Sequence, residues 1–359
     1  MEKEYNEKPN NQAEADNAPE SSGDTVLDVK GLSVSFGGNV QAVSDVSFQL
    51  KQGECFALVG ESGCGKSTTA RAVMRLIREP GKITAGEVDF GGRDIMKLNS
   101  TEMAGIRGKN IGMIFQNPLD SLNPVYTSGD QVAEGLIVDK VEKKKAWEIA
   151  DAVFHDVKIP DPEKRLKSYP HEISGGMRQR VMIGMMLCRK PKILIADEPT
   201  TALDVTIQAS IIELMNELRS EYNTAVMLIT HDFGIVADMA DRVAVMYAGK
   251  IVEMGGVFDI FDRPLHPYTR LLMKALPTIT KKEGRLETIP GTVPDLSKEI
   301  KGCRFAERCP YGKDICREHA PEIKDIEEGH SCACWLLDDE HEETVNSAGS
   351  AGRPEGGEA

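Results

Sequence analysis

The chain has 359 residues, 40% of them hydrophobic and 28% charged, a balance that fits a soluble globular protein with a sizeable core and excludes a low-complexity chain. Its formal net charge of −14 is lodged at the ends: residues 1–24 carry −5 and residues 336–359 carry −6, leaving −3 for residues 25–335. The acidity is thus a property of the ends and says nothing about a basic or acidic partner; no nucleic-acid partner is expected, and no apolar run approaches the roughly 18 residues that a membrane-spanning helix needs.

Both ends, rich in Glu, Asn, Ser, Gly and Ala, read as disordered acidic tails over 1–24 and 336–359. The first residues lack the apolar segment of a secretory signal. The chain is therefore expected in the cytosol, where thiols stay reduced and clustered cysteines favour metal or redox chemistry over disulfides. From Thr25 the texture changes. "VLDVKGLSVSF", "AVSDVSFQL" and "CFALVG" read as strands, and the last runs into a glycine-rich loop and then the helix pattern "STTARAVMRLI". "EVDF" and "IGMIFQ" follow as strands, and then a helix-rich interval at about 119–172. Within it Ala146, Ile149, Val153 and Val157 mark one amphipathic helix. Alternation resumes with "KILIADEP", a helix through "IQASIIELMNELRSEY", "AVMLITH" and "RVAVMYAGKIVEMG". That order predicts an α/β core with a helical insertion. Beyond Gly256 the regularity fades into a short helix in "RPLHPYTRLLMKALP", an extended "IPGTVPDL" and a cysteine-rich segment. Internal repeats are absent, which excludes a solenoid.

"GESGCGKST" comprises Gly60, Glu61, Ser62, Gly63, Cys64, Gly65, Lys66, Ser67 and Thr68 and fits the phosphate-loop pattern G-x-x-x-x-G-K-[ST]. Glycines let backbone N–H groups turn inward around an anion, and the helix that follows offers its positive end. Lys66 then reaches the outer phosphates, and the Ser67 hydroxyl suits Mg²⁺. "KILIADEPT" ends an apolar strand on adjacent carboxylates: Asp197 is placed to hold Mg²⁺, and Glu198 to orient or deprotonate a water. "HEISGGMRQR" sets Ser174, Gly175 and Gly176 before another helix, a second anion-binding device, suited to another protomer's nucleotide.

These motifs together resemble the ATP-binding cassette (ABC) proteins. "ISGGMRQR" is similar to their signature, "FQNP" with Gln116 to their Q-loop, "TALD" with Asp204 to their D-loop, and "LITHD" with His231 to their switch histidine. Ile173 and Met177 depart mildly from the usual signature, away from its Ser-Gly-Gly. The resemblance covers about residues 26–256. It implies a P-loop NTPase (RecA-like) cassette over 25–256, closing head-to-tail with a second ATP-binding subunit. ATP would lie between Gly60–Thr68 of one subunit and Ser174–Gly176 of the other. It further implies Ser67, Gln116 and Asp197 at Mg²⁺, Glu198 as general base, His231 at the γ-phosphate and Phe36 as the adenine-stacking aromatic.

A narrower resemblance runs to about residue 335. "NPLDSLNP", the stretch from "RLKSYPHEISGG" through "DEPTTALDVTIQ", and "HPYTRLLMKALP" with "PGTVPDL" look like the ATPase subunits of peptide and nickel importers. It implies a C-terminal importer extension over 257–335 and docking to two permease subunits at the cytoplasmic face of the membrane. An extracytoplasmic solute-binding protein would act indirectly. Peptides are the expected solute, and nickel is the alternative. A soluble, non-transport ABC ATPase is the rival class, although the long heptad arms of chromosome ATPases are absent.

Five of the eight cysteines fall in "GCRFAERCPYGKDICREHAPEIKDIEEGHSCACW". Paired C-x-x-C knuckles, which zinc ribbons favour, are missing, and the long irregular gaps suit an iron–sulfur cluster on four thiolates. The importer resemblance points the same way, toward a 4Fe-4S cluster on Cys303, Cys309, Cys316 and Cys334. Zinc and free or reversibly bridged thiols stay open, and Cys332 has no role in this reading.

Overall fold

A computed structural model describes residues 25–116, 121–201, 203–275 and 289–338. The expected tails lie outside the described residues except for Leu336–Asp338, as do residues 117–120 of the importer-like "NPLDSLNP".

The strands are β1 (Thr25–Phe36), β2 (Val40–Lys51), β3 (Cys55–Val59), β4 (Gly81–Phe90), β5 (Arg93–Asp94), β6 (Ile111–Ile114), β7 (Ile193–Asp197), β8 (Ala225–Ile229), β9 (Arg242–Tyr247), β10 (Lys250–Gly256), β11 (Lys324–Glu327) and β12 (His330–Cys332). They form an antiparallel sheet in the order β2-β1-β4-β5 and a larger sheet in the order β11-β12-β10-β9-β3-β8-β7-β6. From β9 to β6 the larger sheet is parallel, and β10, β12 and β11 extend it in antiparallel fashion.

Every residue of β3, β7 and β8 is buried, as expected of central parallel strands covered on both faces. Alternate residues feed two cores. Ala57, Val59, Leu194, Ala196, Val226 and Leu228 pack on one face with Val181 and Ile183 of the helix Gly175–Leu187 and Ile211, Leu214 and Leu218 of the helix Val205–Tyr222. Phe56, Leu58, Ile193, Ile195, Met227 and Ile229 pack on the other face. There they meet Ala70 and Val73 of the helix Lys66–Val73 and the inner residues of the antiparallel sheet, such as Leu27, Phe48 and Leu50.

The interval read as a helical insertion holds the helices Ser128–Val138, Lys143–Asp156 and Pro162–Arg165. Ala146 and Val153 of the expected stripe are buried, together with Val157 at the helix end.

The C-terminal segment is more regular than its sequence suggests. Helices Val257–Asp262 and Pro267–Ala275 precede it, and β12 pairs with the cassette strand β10, Glu253 opposite Cys332. The polar residues of β11 hide it as a strand, because an edge strand needs few apolar residues once a neighbour supplies its backbone hydrogen bonds. Order also continues past Trp335. Leu336–Asp338 form a helical turn, Leu337 is buried and Asp338 pairs with Lys324 at 2.9 Å, so this part of the expected tail belongs to the extension. Among the described residues no helix is long and apolar enough to cross a membrane.

Candidate active site

The phosphate loop, Asp197–Glu198, His231 and Gln116 all follow the carboxyl ends of neighbouring parallel strands, β3, β7, β8 and β6. Ligands collect at that edge in open α/β sheets. The loop is held tightly. Gly60 has φ 146° and Gly65 has φ 108°. A Cβ on Gly60 would lie 2.1 Å from the Met246 carbonyl, and one on Gly65 would lie 2.5 Å from that of Ala42. Only glycine meets both demands. Lys66 is buried, and its Nζ donates to the carbonyls of Gly60 (2.8 Å) and Glu61 (3.0 Å), which keeps the ammonium inside the loop.

Ser67 Oγ donates to Asp197 Oδ1 at 2.7 Å, which brings the two expected Mg²⁺ residues together from separate elements. Asp197 is fully buried, and its Oδ2 has no hydrogen-bond partner. Burial pushes its carboxyl above the usual carboxylate range, against the Ser67 hydrogen bond. A buried acceptor without a donor is expensive, and a divalent cation at this hydroxyl–carboxylate pair relieves the cost. The donor set fits Mg²⁺, a hard cation that takes oxygen ligands.

Glu198 sits at φ 50°, a left-handed conformation costing about 1–2 kcal/mol for a non-glycine residue. Three side chains converge on its carboxylate. Gln116 Nε2 donates to Oε2 at 2.6 Å and Thr201 Oγ1 to the same oxygen at 3.0 Å, while His231 Nδ1 lies 3.1 Å from Oε1. Burial opposes ionisation, but the bonds from Thr201, His231 and Gln116 outweigh it and hold the carboxyl below its ordinary value. The result is an ionised carboxylate of fixed orientation beside an exposed imidazole.

Residues 43–201 match the family described as ABC transporter, and residues 252–316 match the oligopeptide/dipeptide transporter C-terminal region. A probable peptide ABC transporter ATP-binding protein of Sinorhizobium fredii is 50% identical over 87% of this chain and 95% of its own length. The dipeptide transport ATP-binding protein DppD of Bacillus subtilis is 50% identical over 90% of this chain and 98% of its own. The chain belongs to the ABC transporter ATP-binding proteins. Such subunits are ATPases that power transport. Among solved structures, the dimeric cassette MJ0796 bound to ADP and Pi superposes with a TM-score of 0.58 at 26% identity, over 64% of this chain and 98% of that one. CbiO1 of Clostridium perfringens gives 0.60 at 27%, over 67% and 92%.

In this ABC subunit the signature Ser174 caps the helix Gly175–Leu187, accepting from the Met177 N–H at 3.3 Å, and Asp204 caps the helix Val205–Tyr222, accepting from the Ile207 N–H at 3.0 Å. Ile207 packs against Gly176, and the buried Gln179 donates to the Pro199 carbonyl beside Glu198. Ser174–Gly176, Asp204 and the end of β7 are thus one packed unit. Phe36 is half-buried with its ring against Gly81, on the hairpin whose second strand presses Ala42 against Gly65. Thr201, Tyr268 and Arg308 were missed from sequence. Thr201 alone carried a local signal, a hydroxyl three residues after Glu198.

Cys303, Cys309, Cys316 and Cys334 line one small, largely apolar cavity with Phe305, Pro321 and Trp335. Burial, with a smaller contribution from the neighbouring thiols, pushes the Cys303 and Cys334 thiols up to about 11. Among the described residues no three Cys, His, Asp or Glu side chains converge tightly enough to hold one ion. Cys332 does not line the cavity; it is buried on β12.

Proposed function

We propose that this chain hydrolyses ATP to drive peptide import as a peripheral subunit at the cytoplasmic face of the cell membrane, docked to two permease subunits. The observation that carries the peptide assignment is the near end-to-end likeness to peptide-transport ATPases, through both the cassette and the C-terminal region. An extracytoplasmic solute-binding protein delivers the cargo. Uptake of labelled di- and oligopeptides by cells lacking the gene tests the reading. Peptide uptake is expected to fall to background and to return with the wild-type gene, whereas unimpaired peptide uptake with loss of nickel uptake would move the assignment to a metal importer.

In the proposed mechanism two cassettes close head-to-tail. Gly60–Thr68 and the helix after them hold the phosphates of one ATP, Ser174–Gly176 of the other subunit cap its γ-phosphate, and Phe36 stacks on adenine. Ser67, Asp197 and Gln116 would hold Mg²⁺, which would supply neutralisation of phosphate charge. Glu198 takes the proton of the attacking water, and His231 fixes that water and the γ-phosphate; positioning and charge stabilisation supply the rest. ATP and water become ADP and phosphate.

We also propose a 4Fe-4S cluster on Cys303, Cys309, Cys316 and Cys334. Four thiols lining one cavity, together with the long irregular gaps between them in sequence, support this reading. Bound there, it would cross-link a segment with little apolar core of its own.

A further inference from the structure

Glu61, the second residue of the phosphate loop, has all three of its polar groups engaged. Its carbonyl accepts from the Cys64 N–H at 3.2 Å and from Lys66 Nζ at 3.0 Å, both within the loop. The other two groups are held by the C-terminal extension. Its N–H donates to Tyr268 Oη at 2.9 Å. Its carboxylate accepts two bonds from Arg308, Nη1 to Oε2 at 2.7 Å and Nη2 to Oε1 at 3.1 Å.

The Arg308 fork is itself anchored. Its side chain is only 5% exposed. Nε donates to the Pro290 carbonyl at 2.9 Å, Nη1 to Tyr247 Oη at 3.2 Å and Nη2 to the Ile289 carbonyl at 3.3 Å. Tyr247, Tyr268 and Phe305 pack together with ring centroids 4.6–5.3 Å apart, and the guanidinium lies over two of them. A planar fork satisfied on every edge gives geometric definition that a lysine point charge lacks. The extension also supports the loop from behind. Arg304 donates to the Ala248 carbonyl and to Gln41 Oε1, and the adjacent Gly249 N–H bonds the Cys64 carbonyl at 2.8 Å.

We propose that Arg308, with Tyr268, is a positioning residue for ATP: the C-terminal extension clamps Glu61 and so keeps the phosphate loop in its nucleotide-binding shape. The inference rests on the ATPase reading above. The clamp touches neither the water nor Glu198. It therefore acts on ATP binding and leaves the chemical step alone, a pattern that appears in KM and not in kcat.

The test uses the full-length chain for equilibrium MgATP binding and the chain assembled with its permease partners for turnover. Arg308→Met is expected to weaken MgATP binding and raise KM by about tenfold with kcat within about twofold, the loss of one charge-assisted pair. Glu61→Gln should weaken binding similarly. The double variant should be no worse than either single, because both remove the same contact. Arg308→Lys should recover only part of the affinity. Tyr268→Phe keeps the buried ring and removes only the acceptor for the Glu61 N–H, so it probes the clamp without disturbing the packing; about a threefold rise in KM is expected. Variants that bind MgATP as tightly as the wild type would overturn the clamp, whether or not their melting temperature falls. Additive losses in the double variant would do the same. A wild-type chain that fails to bind MgATP would instead remove the ATPase reading on which the clamp stands.

Discussion

Glu253 and His330 meet at 2.8 Å with both side chains shut off from solvent. Glu253 belongs to the last cassette strand, His330 to the strand that the cysteine segment adds beside it. The same carboxylate also accepts from the Leu265 and His266 N–H groups, at 2.7 and 2.9 Å. One side chain thus fastens both the start and the end of the extension to the cassette. Glu253→Ala leaves these buried partners without an acceptor, and breaking such a network costs about 3–5 kcal/mol. The expected outcome is faster hydrogen exchange across 257–338 with the cassette core still protected. Unchanged exchange in that segment would show that other contacts hold it.

Glu198→Gln is expected to reduce ATP hydrolysis by at least about a hundredfold, the usual lower bound for loss of a general base. The amide retains an oxygen for Gln116 or Thr201 but takes no proton, so MgATP binding persists and the closed dimer accumulates. Turnover assays together with sizing in ATP check both halves. Near-normal turnover would reassign the base.

The hydrogen bonds on Glu198 also set a pH dependence. Burial alone would raise its pKa, yet the Thr201, His231 and Gln116 contacts bring it below its ordinary value. A lowered folded-state value means the base stays ionised as pH falls through the ordinary carboxylate range, and the stability it contributes, full above the ordinary value, is lost as pH falls from there through the lowered one. Thr201→Val removes one of these donors. Its kcat profile should show an acid limb displaced to higher pH. A limb that stays in place, or moves to lower pH, would contradict the assigned balance.

How much of this was legible follows from where partners lie in sequence. The phosphate loop and the Asp197–Glu198 strand end are contiguous runs, so their chemistry shows in the residue order. Glu198's surroundings were half legible: Gln116 and His231 could be named, but their convergence on one carboxylate depends on β6, β7 and β8 lying side by side. The clamp on Glu61 was invisible, because Tyr268 and Arg308 lie 207 and 247 residues away and belong to no local pattern. The strand pair β11–β12 was hidden for a different reason. Its sequence, "KDIEEGHSC", lacks the apolar alternation that marks a half-buried strand, since its order is supplied by β10 and by Glu253.

The same separation of roles decides what the cysteines should do. Cys332 and Cys334 are two residues apart, which in an extended chain places their side chains on the same side. A bend must therefore separate them, and β12 does end at Cys332. Cys334 then reaches the cavity shared with Cys303, Cys309 and Cys316, while Cys332 stays in the sheet opposite Glu253. Replacing any one of the four cavity cysteines with serine should abolish iron content and the absorbance near 400 nm (roughly where thiolate-bound iron clusters absorb) in anaerobically purified protein. Cys332→Ala should keep both. The clamp and the proposed cluster would share a loop, since Arg308 directly precedes Cys309. Loss of the cluster should therefore weaken MgATP binding in the same direction as Arg308→Met, without the kcat loss of Glu198→Gln. Iron that survives all four serine variants, or disappears only with Cys332, would place the ligands elsewhere.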